Sequence, residues 1–139
     1  VTLGAGAQLL IGVDAKKSVS VLEAAYNDSA GVTAAFNLNA LQHLNEHLGA
    51  NFKLEQFAHE ARYNVELGCI QMFLRSLVAQ QVEISGSVLE FTAGEVIHTE
   101  DSYKYQPEEF LFLAQDAGFT KTALWQDADA WYSLFLMHT

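Results

Sequence analysis

The sequence predicts an α/β fold, and the order of its predicted elements indicates the second half of a doubly wound sheet. A short apolar strand, Gln8 to Val13, comes first. Two amphipathic helices and a group of short strands follow, and a further helix begins at Pro107. Two final strands are separated by Asp127-Ala128-Asp129, which favours an antiparallel pair. We therefore expect one sheet whose first strand is separated from its last helix and strands by an inserted α+β region.

The first strand has apolar residues on both faces, which is typical of a buried parallel strand. Gly4 and Gly6 precede this strand. A phosphate-binding glycine loop follows a strand and opens a helix, so these two glycines predict a turn instead. The sequence accordingly shows no nucleotide-binding loop, and no residue is assigned to a cofactor.

Two helices are predicted next. The first, Ser18 to Tyr26, places apolar side chains on one side at three- and four-residue spacing. The second, Ala30 to Leu48, precedes Gly49, a residue type that commonly ends helices. The expected core stripe of the second helix is Val32, Phe36, Leu41, Leu44 and Leu48.

Short strands are predicted at 57–64, 69–77, 80–84 and from residue 89, with a break at Gly94. In the second of these, Ile70, Met72 and Leu74 alternate with more polar or outward-facing positions. Alternation with period two predicts that one face points inward. Met72 therefore predicts core packing, and the wall of a ligand pocket is the alternative.

The segment Glu95 to Tyr105 combines three acids, a histidine, a serine, a lysine and two tyrosines without an apolar stripe. If the segment is extended, successive side chains alternate faces. His98, Glu100 and Ser102 are then expected on one face, and Thr99, Asp101 and Tyr103 on the other. A carboxylate and a hydroxyl two positions apart can bind an imidazole or an ammonium group. The alternative is a solvated edge strand with ordinary surface charge.

The charge of the chain restricts its partners. The 139 residues carry a net charge of -10 and only seven lysines and arginines. Nucleic-acid binding is not expected, because phosphate contacts need clustered cations, and a cationic or neutral ligand suits this field. No apolar run approaches the roughly 18 residues of a membrane span. Cys69 is the only cysteine, which excludes an intrachain disulfide and fits a cytoplasmic location.

One short motif suggests zinc. Residues 43–47 read H-L-N-E-H and match the H-x-x-E-H pattern, in which two histidines one helical turn apart chelate the metal. The rest of the helix is typical of a polar surface face, and short motifs often arise by chance. We expect no metal here.

Three blocks carry a family resemblance: residues 9–14 (LLIGVD), 25–37 (AYNDSAGVTAAFN) and 94–105 (GEVIHTEDSYKY). They resemble the histidine-specific S-adenosylmethionine-dependent methyltransferases, the L-histidine Nα-methyltransferases of ergothioneine biosynthesis. The similarity runs nearly end to end. It implies the C-terminal part of a Rossmann-like class I methyltransferase fold. Residues 1–16 would form a Rossmann-like strand, 17–104 an inserted substrate-binding lobe, and 105–139 the C-terminal helix and strands.

The resemblance implies a substrate site for L-histidine but no catalytic side chain. Tyr26 would hold the substrate carboxylate, and Glu100 and Ser102 would hold the imidazole. Met72 and Phe36 would line the pocket. The shared face of Glu100 and Ser102 agrees with this assignment.

The same resemblance places the family's glycine loop, ribose-binding acid and substrate-binding asparagine before residue 1. S-adenosylmethionine is therefore expected in the full-length parent, whereas the 139-residue chain alone is expected to lack the cofactor and to be inactive. Unpaired strand edges invite self-association, so a homodimer through residues 8–13 is expected. Two alternatives stay open: a relative acting on another aromatic amino acid, which retained Glu100 and Ser102 disfavour, and a non-catalytic module that binds small molecules.

Overall fold

The computed structural model describes residues 4–139, which form a mixed α/β structure. Its elements are β1 Gln8–Asp14, α1 Val19–Tyr26, α2 Val32–Leu48, β2 Phe57–Asn64, β3 Cys69–Ser76, β4 Gln80–Ile84, β5 Ser87–Phe91, β6 Val96–Tyr103, α3 Pro107–Asp116, β7 Thr120–Gln126 and β8 Tyr132–His138. These bounds lie within about two residues of most predicted ones. No helix within the described residues combines the length and apolar character needed to cross a membrane.

The described residues divide into two compact units. The first unit contains residues 4–18, 66–68 and 103–139, and the second unit contains residues 19–65 and 69–102. Each unit has its own sheet, and β4 and β5 form a separate hairpin within the second unit.

The sheet of the first unit has the order β1-β8-β7 and is antiparallel throughout. The expected antiparallel pairing of the last two strands is confirmed. The prediction of a parallel β1 was wrong, because β8 returns beside it with Gln8 opposite His138 and Asp14 opposite Tyr132. Only one face of β1 is covered, and Leu10 on the other face is 62% exposed. Leu10 makes both faces of the strand apolar in sequence, and this pattern predicts burial on both faces although Leu10 is exposed.

A buried lysine ties the end of β6 to β1 within the first unit. The Lys104 side chain is only 1% exposed, and its Nζ lies 3.4 Å from Asp14 Oδ2. Lys17 Nζ lies 2.5 Å from the other carboxylate oxygen. The Tyr105 N–H donates to the Asp14 carbonyl at 3.1 Å. A buried ammonium is tolerated only when it is paired, so Asp14 makes the burial of Lys104 possible.

The sheet of the second unit has the order β2-β3-β6. β2 and β3 are antiparallel, with Phe57 opposite Ser76. The predicted inward face of β3 is confirmed, since Ile70 and Leu74 are fully buried and Met72 is 2% exposed. This face forms the base on which the site residues of the second unit are arranged.

The predicted core stripe of α2 was partly wrong. Leu41 is buried, but Val32 and Phe36 are 69% and 67% exposed. The buried face instead contains Asn37, which is 3% exposed and makes hydrogen bonds inward. The helix ends at Gly49 as predicted, where φ is 61° and the N–H donates to the Leu44 carbonyl. Asn37 thus takes the place on the buried face that the apolar pattern assigned to Phe36.

β1 lies at the edge of its sheet in the described part of the chain, and we expect this edge to promote self-association. Leu10→Lys is expected to shift the chain toward monomer, because a lysine disfavours edge-to-edge pairing. Light scattering across a concentration series measures the change. Val88→Lys, at an exposed position of β5 in the second unit, is the matched control. A chain that is purely monomeric at high concentration contradicts the expectation.

Candidate functional site

The candidate site residues of β6 lie beside β3 in the second unit. The Ser76 N–H donates to the Glu95 carbonyl at 2.8 Å. The Thr99 hydroxyl donates to the Met72 carbonyl at 3.0 Å. As the chain goes back from residue 76 to residue 72, its partners advance from 95 to 99, so β6 runs antiparallel to β3.

The side chains of β6 do not alternate strictly. His98 Nε2 lies 2.8 Å from Asp101 Oδ1, and Gln71 Nε2 donates to the same oxygen at 3.0 Å. Strict alternation would place residues three apart on opposite faces, so the prediction that His98 shares a face with Glu100 and Ser102 was wrong. The His98 ring instead lies 5.0 Å from that of Phe73. Hydrogen bonds from Gln71 and then His98 lower the pKa of Asp101 below its ordinary value.

Tyr26 and Ser102 are in direct contact. The Tyr26 hydroxyl lies 2.8 Å from Ser102 Oγ, although the two residues are 76 positions apart. Tyr26 also packs against the buried cluster that contains Met72. Met72 therefore lies in the core beneath Tyr26 and is not part of an open wall. Three of the five residues expected at the substrate site are brought together here.

Phe36 and Glu100 lie at a neighbouring cavity of about 320 Å³ between α2 and β6. Its lining consists of Phe36, Asn37, Asn39, Ala40, His43, Thr99 and Glu100. A volume of this size is at the lower end for small-molecule pockets. The exposed carboxylate of Glu100 can accept hydrogen bonds from a ligand's N–H groups. The cavity thus suits a small ligand with nitrogen donors.

Sequence reasoning missed Asn37 and His59. Asn37 Nδ2 lies 3.0 Å from His59 Nδ1 and 3.1 Å from the Phe73 carbonyl oxygen. His59 Nε2 lies 2.8 Å from the carbonyl oxygen of Tyr26. A signal was present, because Asn37 lies one helical turn before Leu41 on the buried face of α2. An amide at such a position predicts an internal hydrogen-bond network.

A family model for histidine-specific, S-adenosylmethionine-dependent methyltransferases matches residues 1–139. The chain belongs to this family. The resemblance carried by the three sequence blocks is therefore confirmed.

Three relatives agree with this membership. The chain is 42% identical over 137 residues to the histidine N-alpha-methyltransferase of Mycolicibacterium smegmatis, a match that covers 97% of this chain and 43% of that protein. It is 37% identical over 133 residues to the histidine N-alpha-methyltransferase of Mycobacterium tuberculosis, covering 94% and 41%. It is 32% identical over 126 residues to ergothioneine biosynthesis protein 1 of Neurospora crassa, covering 88% and 14%. The chain thus spans less than half the length of these relatives.

The two histidines of the zinc-like motif lie near each other on α2 of this methyltransferase-family chain. Their ring centroids are 5.5 Å apart. The intervening Glu46 accepts a hydrogen bond from Gln42 at 2.7 Å. Within residues 4–139, no group of three or more histidine, cysteine, aspartate or glutamate side chains could hold a metal ion. We assign no metal role to His43 or His47.

Asp28 sets the start of α2, the helix that carries Phe36 and Asn37. Its two carboxylate oxygens accept from the N–H groups of Val32 and Thr33, both at 2.9 Å. These bonds, from Thr33 first and then Val32, lower the pKa of Asp28 below its ordinary value of 3.8. A carboxylate at this position satisfies N–H groups that the first helical turn leaves without partners.

The lowered pKa of Asp28 predicts a specific pH dependence. Its ionised form stabilises the fold fully above the unfolded-state pKa, and this contribution is lost as the pH falls through the folded-state pKa. Asp28→Asn does not titrate, so it should flatten the decrease in the free energy of unfolding that begins as the pH falls toward the ordinary pKa of 3.8 and continues below it. Urea unfolding at a series of pH values measures this. Ser29→Ala is the neighbouring control, and an unchanged slope in Asp28→Asn would refute the role.

Proposed function

We propose that this chain is the substrate-binding lobe and C-terminal sheet of an enzyme that transfers methyl groups from S-adenosylmethionine to the α-amino group of L-histidine. Residues 17–104 would form the inserted lobe, and residues 1–16 and 105–139 would belong to a Rossmann-like sheet. Membership of the family supports the reaction class. The observation that carries the substrate role is the 2.8 Å contact between the Tyr26 and Ser102 hydroxyls.

The contact between the two hydroxyls links their hydrogen-bonding roles. Each hydroxyl has one proton to donate and lone pairs to accept with. If Tyr26 donates its proton to a substrate carboxylate while the contact persists, Ser102 must donate to Tyr26. Ser102 can then only accept from the imidazole ring, and the Glu100 carboxylate also only accepts. Two acceptors favour a doubly protonated ring, and the net charge of -10 suits such a cation.

The described residues contribute to the reaction by binding and orienting the amino acid. An α-amino group reacts as a nucleophile only in its neutral form, so it must be presented with its lone pair available. Holding the carboxylate and the ring at two fixed points restricts the orientation of the amine, and restricting a reactant in this way lowers the entropic part of the barrier. This role requires rigid positions for Tyr26, Glu100 and Ser102.

The described residues do not fit a glycine loop for S-adenosylmethionine. Gly4 and Gly6 precede β1. The connection from β1 to α1 is Ala15-Lys16-Lys17-Ser18 and contains no glycine. A phosphate- or nucleotide-binding loop needs glycines after the strand, where the backbone approaches the ligand. No step of the reaction is therefore assigned to a cofactor bound by these residues.

The missing glycine loop predicts that the 139-residue chain does not bind S-adenosylmethionine. Isothermal titration calorimetry of the purified chain should give no heat of binding above dilution, whereas a complete methyltransferase of the family serves as the positive control. Micromolar affinity in the chain would contradict this expectation and would require a cofactor site among residues 4–139.

The proposed role of Glu100 predicts a change in substrate preference. In the methyltransferase that contains this sequence, Glu100→Ala removes a charged acceptor for the ring N–H. Such a loss costs about 1.5–3 kcal/mol, or roughly ten- to hundredfold in kcat/KM for histidine. The value for phenylalanine, which has no ring N–H, should change little. Steady-state kinetics with both amino acids give the ratio of kcat/KM for histidine to kcat/KM for phenylalanine.

Tyr26→Phe is the contrasting variant for this test. It removes the hydroxyl assigned to the carboxylate, so kcat/KM should fall for both amino acids and their ratio should stay the same. A histidine-to-phenylalanine ratio that is unchanged in Glu100→Ala would show that Glu100 does not read the ring. The segment around it would then be a solvated edge strand.

A further inference from the structure

Asn37 and His59 connect the two parts of the candidate site. Asn37 is 3% exposed, lies on α2 and lines the cavity that contains Glu100. Its amide contacts His59 on β2, and His59 contacts the backbone of Tyr26, whose hydroxyl contacts Ser102. Hydrogen bonds therefore run from the cavity wall to the backbone of Tyr26, and the side chain of Tyr26 connects that point to Ser102.

The partners of this network determine where its protons lie. The carbonyl oxygen of Tyr26 can only accept, so His59 Nε2 must carry a proton. Asn37 Nδ2 has no lone pair to offer, so His59 Nδ1 must accept from it. The carbonyl of Phe73 fixes the amide orientation, because a flipped amide would set its oxygen against that carbonyl. His59 is therefore a neutral imidazole with its proton on Nε2.

This tautomer lets His59 anchor the end of α1. Tyr26 is the last residue of that helix, where carbonyl groups lack intrahelical donors. The next residue, Asn27, is held on β2 by two hydrogen bonds with the Ala61 backbone, of 2.9 and 3.0 Å. The backbone of Tyr26 is thus held at β2 while its hydroxyl reaches Ser102 on β6. The ring of Tyr26 spans the sheet between these two points.

We infer that His59, held in its Nε2–H tautomer by Asn37, is a positioning residue for the Tyr26–Ser102 pair. It acts on the backbone of Tyr26, and its consequence for substrate binding rests on the proposed function of that pair. Packing alone does not require the network, since Leu41 fills the next turn of the same helix face with an apolar side chain. What Asn37 and His59 add is a defined geometry, because each hydrogen bond restricts direction as well as distance.

The first test is independent of any substrate. Nitrogen-15 NMR of the 139-residue chain near pH 8 should show His59 with Nε2 protonated and Nδ1 unprotonated. Asn37→Asp replaces the donor with an acceptor, so Nδ1 of His59 should then become protonated. A wild-type His59 protonated on Nδ1, or an Asn37→Asp variant with an unchanged pattern, would overturn the inference.

The second test separates positioning from general stability. In the methyltransferase that contains this sequence, His59→Ala should raise KM for histidine about tenfold, with kcat changed less than about threefold, because a partly buried hydrogen bond is lost outside the reacting atoms. His59→Gln keeps an N–H for the Tyr26 carbonyl and should restore most of the loss. His47→Gln, at an exposed position of α2, is the matched control and should have no effect.

A double-mutant cycle completes the test. In a Tyr26→Phe background, His59→Ala should raise KM by less than about twofold, since residues that act through one group are not additive. An equal factor in both backgrounds would show a purely structural role and refute the inference. If the wild-type enzyme does not methylate histidine, the proposed function fails. The inference is then decided by NMR. His59 should carry its proton on Nε2, and His59→Ala should shift the ring signals of Tyr26; unshifted ring signals would contradict the positioning role.

Discussion

The buried face of β3 is the constraint on which the second unit depends. Ile70, Met72 and Leu74 are almost completely buried, and each contributes about 2 kcal/mol by removing apolar surface from water. A shift of β3 by one residue would turn all three toward solvent, so its register is strongly determined. β2 and β6 take their positions from β3, and α1 packs on the same face through Leu22. The locations of Met72 on β3 and of Glu100 and Ser102 on β6 follow from this register.

Hydrogen bonds from polar side chains fix the orientation of the helices that pack on the apolar face of β3. The β3 face brings α1 and α2 to one side of the sheet, but apolar contacts alone would allow small rotations of each helix. Asn37 and His59 remove this freedom for α2 and for the end of α1, because each has a directional partner on the sheet. In the first unit, the ion pair with Asp14 restricts the position of the Lys104 side chain in a similar way. A binding site gains from such rigidity, since ordering its side chains before binding reduces the entropy lost on binding.

Local sequence patterns predicted the structure correctly where a single interaction determines the local conformation. The alternation in β3 predicted its buried face, and Gly49 predicted the end of α2 through its left-handed conformation. The patterns failed where an apolar residue is exposed or a polar one is buried. Leu10 suggested a strand buried on both faces, and Phe36 suggested the core face of α2, yet both are largely exposed. Hydrophobicity alone does not distinguish a core leucine from a surface one.

The sequence by itself indicated the family and the order of the elements, and the family resemblance implied Tyr26, Glu100 and Ser102 as candidate substrate residues. These properties depend on residue types at short spacing. The tertiary structure alone decided that the Tyr26 hydroxyl meets Ser102, that His98 turns toward Asp101, and that Asn37 and His59 link the cavity to Tyr26. Most of these contacts join residues that are distant in sequence. They depend on the register of β3 with its neighbours, because hydrogen bonds require distances and directions that local sequence does not encode.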